Sequence, residues 1–173
     1  MGFFRRKRKN GRGRTTQIDL NAGVLRSGTR YAIAGITFRP EAVAGILNTC
    51  PASPPKGLEP EQQERHAEED SQAVAWFTAI LVREPGNEHD PNAVAVFAAE
   101  TGEQVGYLPS RDAAEFQAVF DQVLTPEGHN AGACPGYVHP NGEGGYWGVL
   151  CLSTPTFIIN ESEAIAFESD DED

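Results

Sequence analysis

In the stretch REPGNEHDPNAVAVF, residues 83–97, Asn87, His89, Asp90 and Asn92 crowd a loop that directly precedes a run of alternating small apolar residues. Side chains of these types move protons, bind metal ions or exchange hydrogen bonds. His89 and Asp90 are adjacent, and sequence neighbours usually aim their side chains apart, which makes a poor acid–base dyad. The four histidines, at 66, 89, 129 and 139, lie far from one another and no Cys-x-x-Cys pair is present, so no metal site is expected. Hydrogen bonding remains, and two accounts of it stay open. In one, Asn87, Asp90 and Asn92 bond back to local amides as Asx turns, and Pro91 stiffens the turn. In the other, part of the set binds a ligand. A carboxylate repels phosphate and accepts from neutral or cationic donors, so Asp90 in a nucleic-acid site would serve beside a free sugar hydroxyl or an exocyclic amine.

No other chemistry is signalled. The sequence has no GxxxxGK[ST], no GxGxxG after a strand, no HExxH and no GxSxG, so neither an ATPase nor a standard hydrolase is supported, and no enzyme activity and no cofactor are expected. No apolar run of about 18 residues is present to span a membrane. The basic N-terminal stretch MGFFRRKRKNGRGR has no apolar segment after it, unlike a secretory signal, and Arg6 stands where N-myristoylation would want Ser or Thr. Cys50, Cys134 and Cys151 are odd in number and widely spaced, which fits free thiols in a reducing compartment. A cytoplasmic protein is expected.

The elements that must position the polar loop follow from periodicity and turn residues. The 18 Gly and 12 Pro among 173 residues favour turns over long helices. Strands are predicted over RYAIAGITF (30–38), AVAWFTAILVRE (73–84), NAVAVFAA (92–99), QVGYL (104–108), GACPGYV (132–138) and GGYWGVLCL (144–152), from β-branched and aromatic content between turn signals. The second is apolar on both faces, as in a closed barrel. PEAVAGIL (40–47) reads as a short helix with Pro40 at its first position. PSRDAAEFQAVFDQVL reads as a longer one, capped by Ser110, with Phe116, Val119, Phe120 and Val123 forming its core stripe.

Charge divides the chain. Residues 1–14 hold seven of the fourteen Lys and Arg and no acid, whereas residues 155–173 hold seven of the twenty-five Asp and Glu and no base. We read residues 1–29 as a basic, mostly disordered arm, 30–154 as one domain, and 155–173 as a solvated acidic tail. Residues 49–70, rich in proline and acids, read as an exposed insertion.

AIAGITFRPEAV and then AILVREPGNEHDPNAVAVFAAETGEQVGYLPSRDAAEF resemble the HIRAN domain, a module found at the N-terminus of fork-remodelling Swi2/Snf2 translocases. The REPxNxxDPNAV core followed by GxQVGYLP carries the resemblance, which extends from about Tyr31 to Leu152. It implies a mainly β, α+β fold, a six-stranded OB-like or SH3-like barrel with two helices, that binds single-stranded DNA at its 3′-hydroxyl end.

The site residues it implies are Thr37 and Phe38 on the first strand with Arg39 next, Phe38 stacking on a base; Asn87, His89 and Asp90 in the loop, with Asp90 accepting from the terminal hydroxyl; Tyr107 on the fourth strand and Arg111 nearby; and Tyr146 or Trp147 in the closing hairpin. Cations expected at several positions are missing, for Thr37, Pro109 and Ser110 stand there. Phosphate neutralisation supplies much of nucleic-acid affinity, so weak binding by the barrel is expected, with Arg5, Arg6, Lys7, Arg8, Lys9, Arg12 and Arg14 supplying nonspecific phosphate contacts. The functional expectation is a non-enzymatic 3′-end reader in DNA repair, replication restart or a mobile element, with helicase or nuclease activity supplied by a partner protein. The alternative is a protein-interaction module that holds a peptide in the same groove.

Overall fold

The computed structural model describes residues 3–9, 15–59 and 66–170, with side chains described between Leu20 and Glu163. Its elements are β1 (Phe3–Lys9), β2 (Thr15–Val24), β3 (Thr29–Ala32), a 3-10 turn (Ile36–Phe38), α1 (Pro40–Thr49), α2 (Ala67–Ser71), β4 (Ala75–Arg83), β5 (Val94–Ala98), β6 (Gln104–Tyr107), α3 (Ser110–Val119), a π turn (Phe120–Leu124), β7 (Ala131–Pro140), β8 (Tyr146–Leu152) and α4 (Pro155–Asp170).

β3 to β8 form the ring that the sequence predicts. The order runs β3-β8-β7-β4-β5-β6, every pair antiparallel. The ring closes at one bridge: the Ala34 N–H donates to the Tyr107 carbonyl at 2.8 Å and the Tyr107 N–H donates to the Ala34 carbonyl at 3.0 Å. A register shift between Val96 and Phe97 bulges the β5–β6 pairing just before this point, and bulges increase local twist and bend a strand. Gly106 lies in the seam, where a methyl group would overlap the Ala34 carbonyl oxygen and Ile33 Cγ2. The fold is thus mainly β with peripheral helices, as predicted.

β4 is apolar on both faces because each face meets a core. Inward, Ala75, Phe77, Ala79 and Leu81 join the barrel interior with the predicted stripe, Phe116 and Val119 of α3 and Phe120 and Val123 of the π turn. Outward, Ile80 and Val82 pack with Ala95, Phe97, Ala131, Ala133 and Leu20, while Trp76 meets Tyr137 and Cys151. The three cysteines are free thiols. Burial pushes the Cys151 thiol up to about 12, against the pull of Arg30, and the Cys50 thiol up to about 11.

Five expectations meet a different structure. The strand predicted over 30–38 ends at Ala32, because Gly35 turns the chain with φ 76° into the 3-10 turn, a conformation open to glycine. Ser110 is the first residue of α3 and Pro109 takes the cap position without a side-chain bond. Residues 15–24, read as part of a disordered arm, are extended: β2 pairs with β1 and adds Ala22–Val24 to β7 in parallel, and Leu20 and Leu25 are buried. Residues 155–170, read as a solvated tail, are helical in α4, which buries Ile158 against the core and pairs Glu161 with Arg26. Strand and helix here depend on distant partners, which local periodicity does not reveal.

The acidic insertion is likewise not wholly solvated. Asp70 of α2 receives Arg30 Nε at 2.9 Å and Nη2 at 2.6 Å, and the Arg30 side chain is only 5% exposed. This two-pronged pair clips α2 beside Trp76, Tyr137 and Cys151.

Two substitutions probe these contacts. Gly106→Ala should destabilise the fold by about 2 kcal/mol or more in urea unfolding, through overpacking at the seam. Asp70→Ala, which leaves Arg30 buried without its carboxylate, should cost about 3 kcal/mol in the same assay.

Candidate nucleic-acid interface

The β4–β5 loop is built from its own polar side chains. Asn87 Oδ1 accepts the His89 N–H at 3.0 Å and the Asp90 N–H at 3.2 Å, and Asp90 Oδ1 accepts the Asn92 N–H at 2.8 Å. These are Asx-type turns, so the local account is satisfied by Asn87 and Asp90. Asn92 contributes its backbone instead, its carbonyl accepting from Gln117 Nε2 of α3 at 2.9 Å. The two accounts do not exclude each other, because the loop so folded carries His89 exposed and Asp90 partly exposed at its rim.

Asn87, His89 and Asp90 meet Tyr107, Ala34, Ala93, Leu108 and Ser110 around an open cavity of about 270 Å³. Ala34 also lines a second cavity of about 380 Å³, with Thr37, Pro109, His139, Trp147 and Val149 among its walls. The two hollows therefore adjoin at Ala34, one partner of the bridge that closes the ring. Trp147 is 52% exposed beside the second.

Of the residues predicted for the site, Asn87, His89, Asp90 and Tyr107 come together in the first hollow, and Thr37 and Trp147 in the second. The alternation of β8 separates the two aromatics left open by the sequence: Tyr146 packs on the inner core, whereas Trp147 lines the second hollow. Phe38 is 87% exposed at the end of the 3-10 turn and lines neither hollow. Arg39 precedes α1 and also lines neither. Arg111, in the first turn of α3 next to Ser110, is exposed and leans on Asp112 at 3.3 Å. Arg5, Arg6, Lys7, Arg8 and Lys9 lie on β1, which places their backbone, and Arg12 and Arg14 lie outside the described residues.

The sequence reading missed Glu84. It is buried at the end of β4, and its Oε2 accepts the Tyr107 hydroxyl at 3.2 Å and Asn87 Nδ2 at 3.4 Å. The available signal was an acid placed directly after an apolar strand and before the turn. Ala34 and His139 were missed as well, Ala34 because it acts through its backbone.

Chemically, the first hollow offers carboxylate and amide acceptors, one imidazole and a phenol, and the second a mostly apolar floor with an indole at its side. Among the described residues no cluster of His, Cys, Asp and Glu could hold a metal ion, and no helix is long and apolar enough to cross a membrane.

A small ring of strands thus closes beside a two-part cleft of this composition. Residues 77–129 match the family model of the HIRAN domain. The match runs from within β4 through the polar loop, β5, β6 and α3. The HIRAN domain is a nucleic-acid-binding module and is not itself catalytic. No curated protein and no solved structure matches the chain.

The loop's own bonds can be tested directly. Asn87→Ala removes the acceptor of two amides, and should lower stability by about 1 kcal/mol while speeding hydrogen exchange at His89 and Asp90 and leaving the α3 amides protected.

Proposed function

We propose that the cleft receives the 3′-hydroxyl end of single-stranded DNA, with the terminal nucleotide in the hollow of Asn87, His89, Asp90 and Tyr107. The observation that carries this reading is the convergence of those four side chains on one cavity of about 270 Å³ at the seam of the ring, within the segment that matches the HIRAN domain.

Asp90 sits at the rim as an acceptor, which suits a hydroxyl and repels a terminal phosphate. Tyr107 offers a ring to the sugar or base, and His89 stands exposed where a ring or a phosphate would pass. Trp147 beside the second hollow and the exposed Phe38 present flat faces to neighbouring bases; stacking of this kind contributes roughly 1 to 3 kcal/mol per base.

The charge distribution supports modest affinity. The cations near the cleft are Arg39 and Arg111, and residues 15–154 hold 7 bases against 18 acids. Phosphate contacts then fall largely to the basic residues between Arg5 and Arg14, so binding through them should weaken steeply with salt. The biological setting that suits an end reader of this kind is DNA repair, replication restart or a mobile element, alongside a partner that supplies helicase or nuclease activity.

Fluorescence anisotropy with short single strands ending in a 3′ hydroxyl or a 3′ phosphate tests the reading. The hydroxyl strand should bind more tightly, and Asp90→Ala should remove about one charged hydrogen bond, roughly tenfold in affinity, while leaving the phosphate strand no weaker. Equal binding of both strands by the unmodified protein would reduce it to a nonspecific basic arm; no binding at all would favour a peptide occupant.

A further inference from the structure

Glu84 lies outside the walls of the first hollow, yet two of those walls are fastened to it. The residue is 6% exposed, and one carboxylate oxygen, Oε2, accepts from the Tyr107 hydroxyl at 3.2 Å and from Asn87 Nδ2 at 3.4 Å. The main chain of Glu84 holds both ends of the loop. Its N–H donates to the Ala93 carbonyl at 2.8 Å, and its carbonyl accepts the Asn87 N–H at 2.9 Å. Asn87 passes the constraint on, because its Oδ1 holds the amides of His89 and Asp90. One carboxylate thus ties the β4–β5 loop to the end of β6.

We propose that Glu84 is the positioning residue of this hollow, setting the separation between the His89–Asp90 pair and the Tyr107 ring and thereby the preference for a terminal hydroxyl. The proposal rests on reading the hollow as the seat of a chain end. A binding group works only when its neighbours hold it to within a fraction of an ångström. Asp90 is on a loop, where the backbone alone fixes position less tightly than a strand does. Tyr107 is on the last residue of a short strand, with its backbone committed to Ala34 and its hydroxyl given to Glu84. A carboxylate oxygen can accept from two donors at once, as can a glutamine carbonyl, whereas alanine offers neither partner anything.

A glutamate that served packing alone would, on replacement, lower stability and leave the end preference of the folded protein unchanged. The discriminating experiment compares the full chain with its Glu84→Ala, Glu84→Gln and Tyr107→Phe variants by two measurements. One is amide hydrogen exchange at His89 and Asp90, which needs no ligand and reports local opening. The other is the ratio of affinities for short single strands ending in a 3′ hydroxyl or a 3′ deoxy sugar.

Glu84→Ala should speed exchange at both amides and shrink the hydroxyl-to-deoxy ratio, each by about fivefold, the effect of one misplaced hydrogen bond. Glu84→Gln should restore both to within about twofold. Unchanged exchange and ratio in Glu84→Ala, or a Gln variant that behaves like Ala, would overturn the assignment. Where Glu84→Ala does not fold, Tyr107→Phe tests the link from its other end: exchange at His89 and Asp90 should again rise, and unchanged exchange would overturn the assignment. Equal binding of the two strands by the unmodified protein would instead defeat the end-reading proposal, and the exchange measurement alone would then decide whether Glu84 positions the loop.

Discussion

The pair of hydrogen bonds between Ala34 and Tyr107 is what turns a curled sheet into a ring. Every other neighbour in the ring is joined by a ladder of several residues, whereas β6 meets the chain leaving β3 at a single bridge. So short a closure demands that the two backbones approach closely, and Gly106 supplies the missing side chain that permits it. The seam also borders both hollows. Its backbone donors and acceptors are consumed by each other, so what it offers a ligand is the side chains around it, Tyr107 on one flank and the turn Gly35–Phe38 on the other. The cleft is a consequence of how the barrel shuts.

The electrostatics follow from the same arrangement. Glu84, buried behind the hollow, and Asp90, at its rim, bring two carboxylates to the site, and the guanidinium of Arg111 is partly engaged by Asp112. A site of this kind selects by hydrogen-bond donors more than by charge. On the proposed reading, affinity and selectivity are separable in this chain, one residing in cationic residues of the N-terminal stretch and the other in the geometry of the seam.

Much of the barrel was legible because its signals are local. The run from Ala75 to Val119 alternates or repeats with the period of the element it forms, and Gly102 with φ 74° marks the hairpin between β5 and β6. β2 and α4 were not legible, since Thr15–Val24 and Pro155–Asp170 have weak periodicity and gain their form from β1 and β7 and from α3 and Arg26. Within the cleft, the resemblance led to Asn87, His89, Asp90 and Tyr107 in one hollow, but the inward turn of Tyr146 depends on strand register, and the role of Glu84 depends on two residues brought together only by the fold. Asp70 carries the same lesson: an acid in an acidic tract reads as solvated until Arg30 is found across the sheet.

The sharing of one edge of β7 bears on how the chain can fold. Ala131–Ala133 pair with Ala22–Val24, and Gly136–Pro140 pair with β8, so that β7 is flanked along one side by segments from far apart in sequence. The junction is sewn by the Leu25 N–H donating to the Ala133 carbonyl and the Ser153 N–H donating to the Arg26 carbonyl. β3 has its ladder only with β8. Emerging from a ribosome, Ala22–Val24 and Thr29–Ala32 must therefore wait for residues 131–152 before these pairings can form. Topologies dominated by such distant pairings fold slowly, and the ring-closing bridge, which needs β3 held in place by β8, belongs among the last events to form.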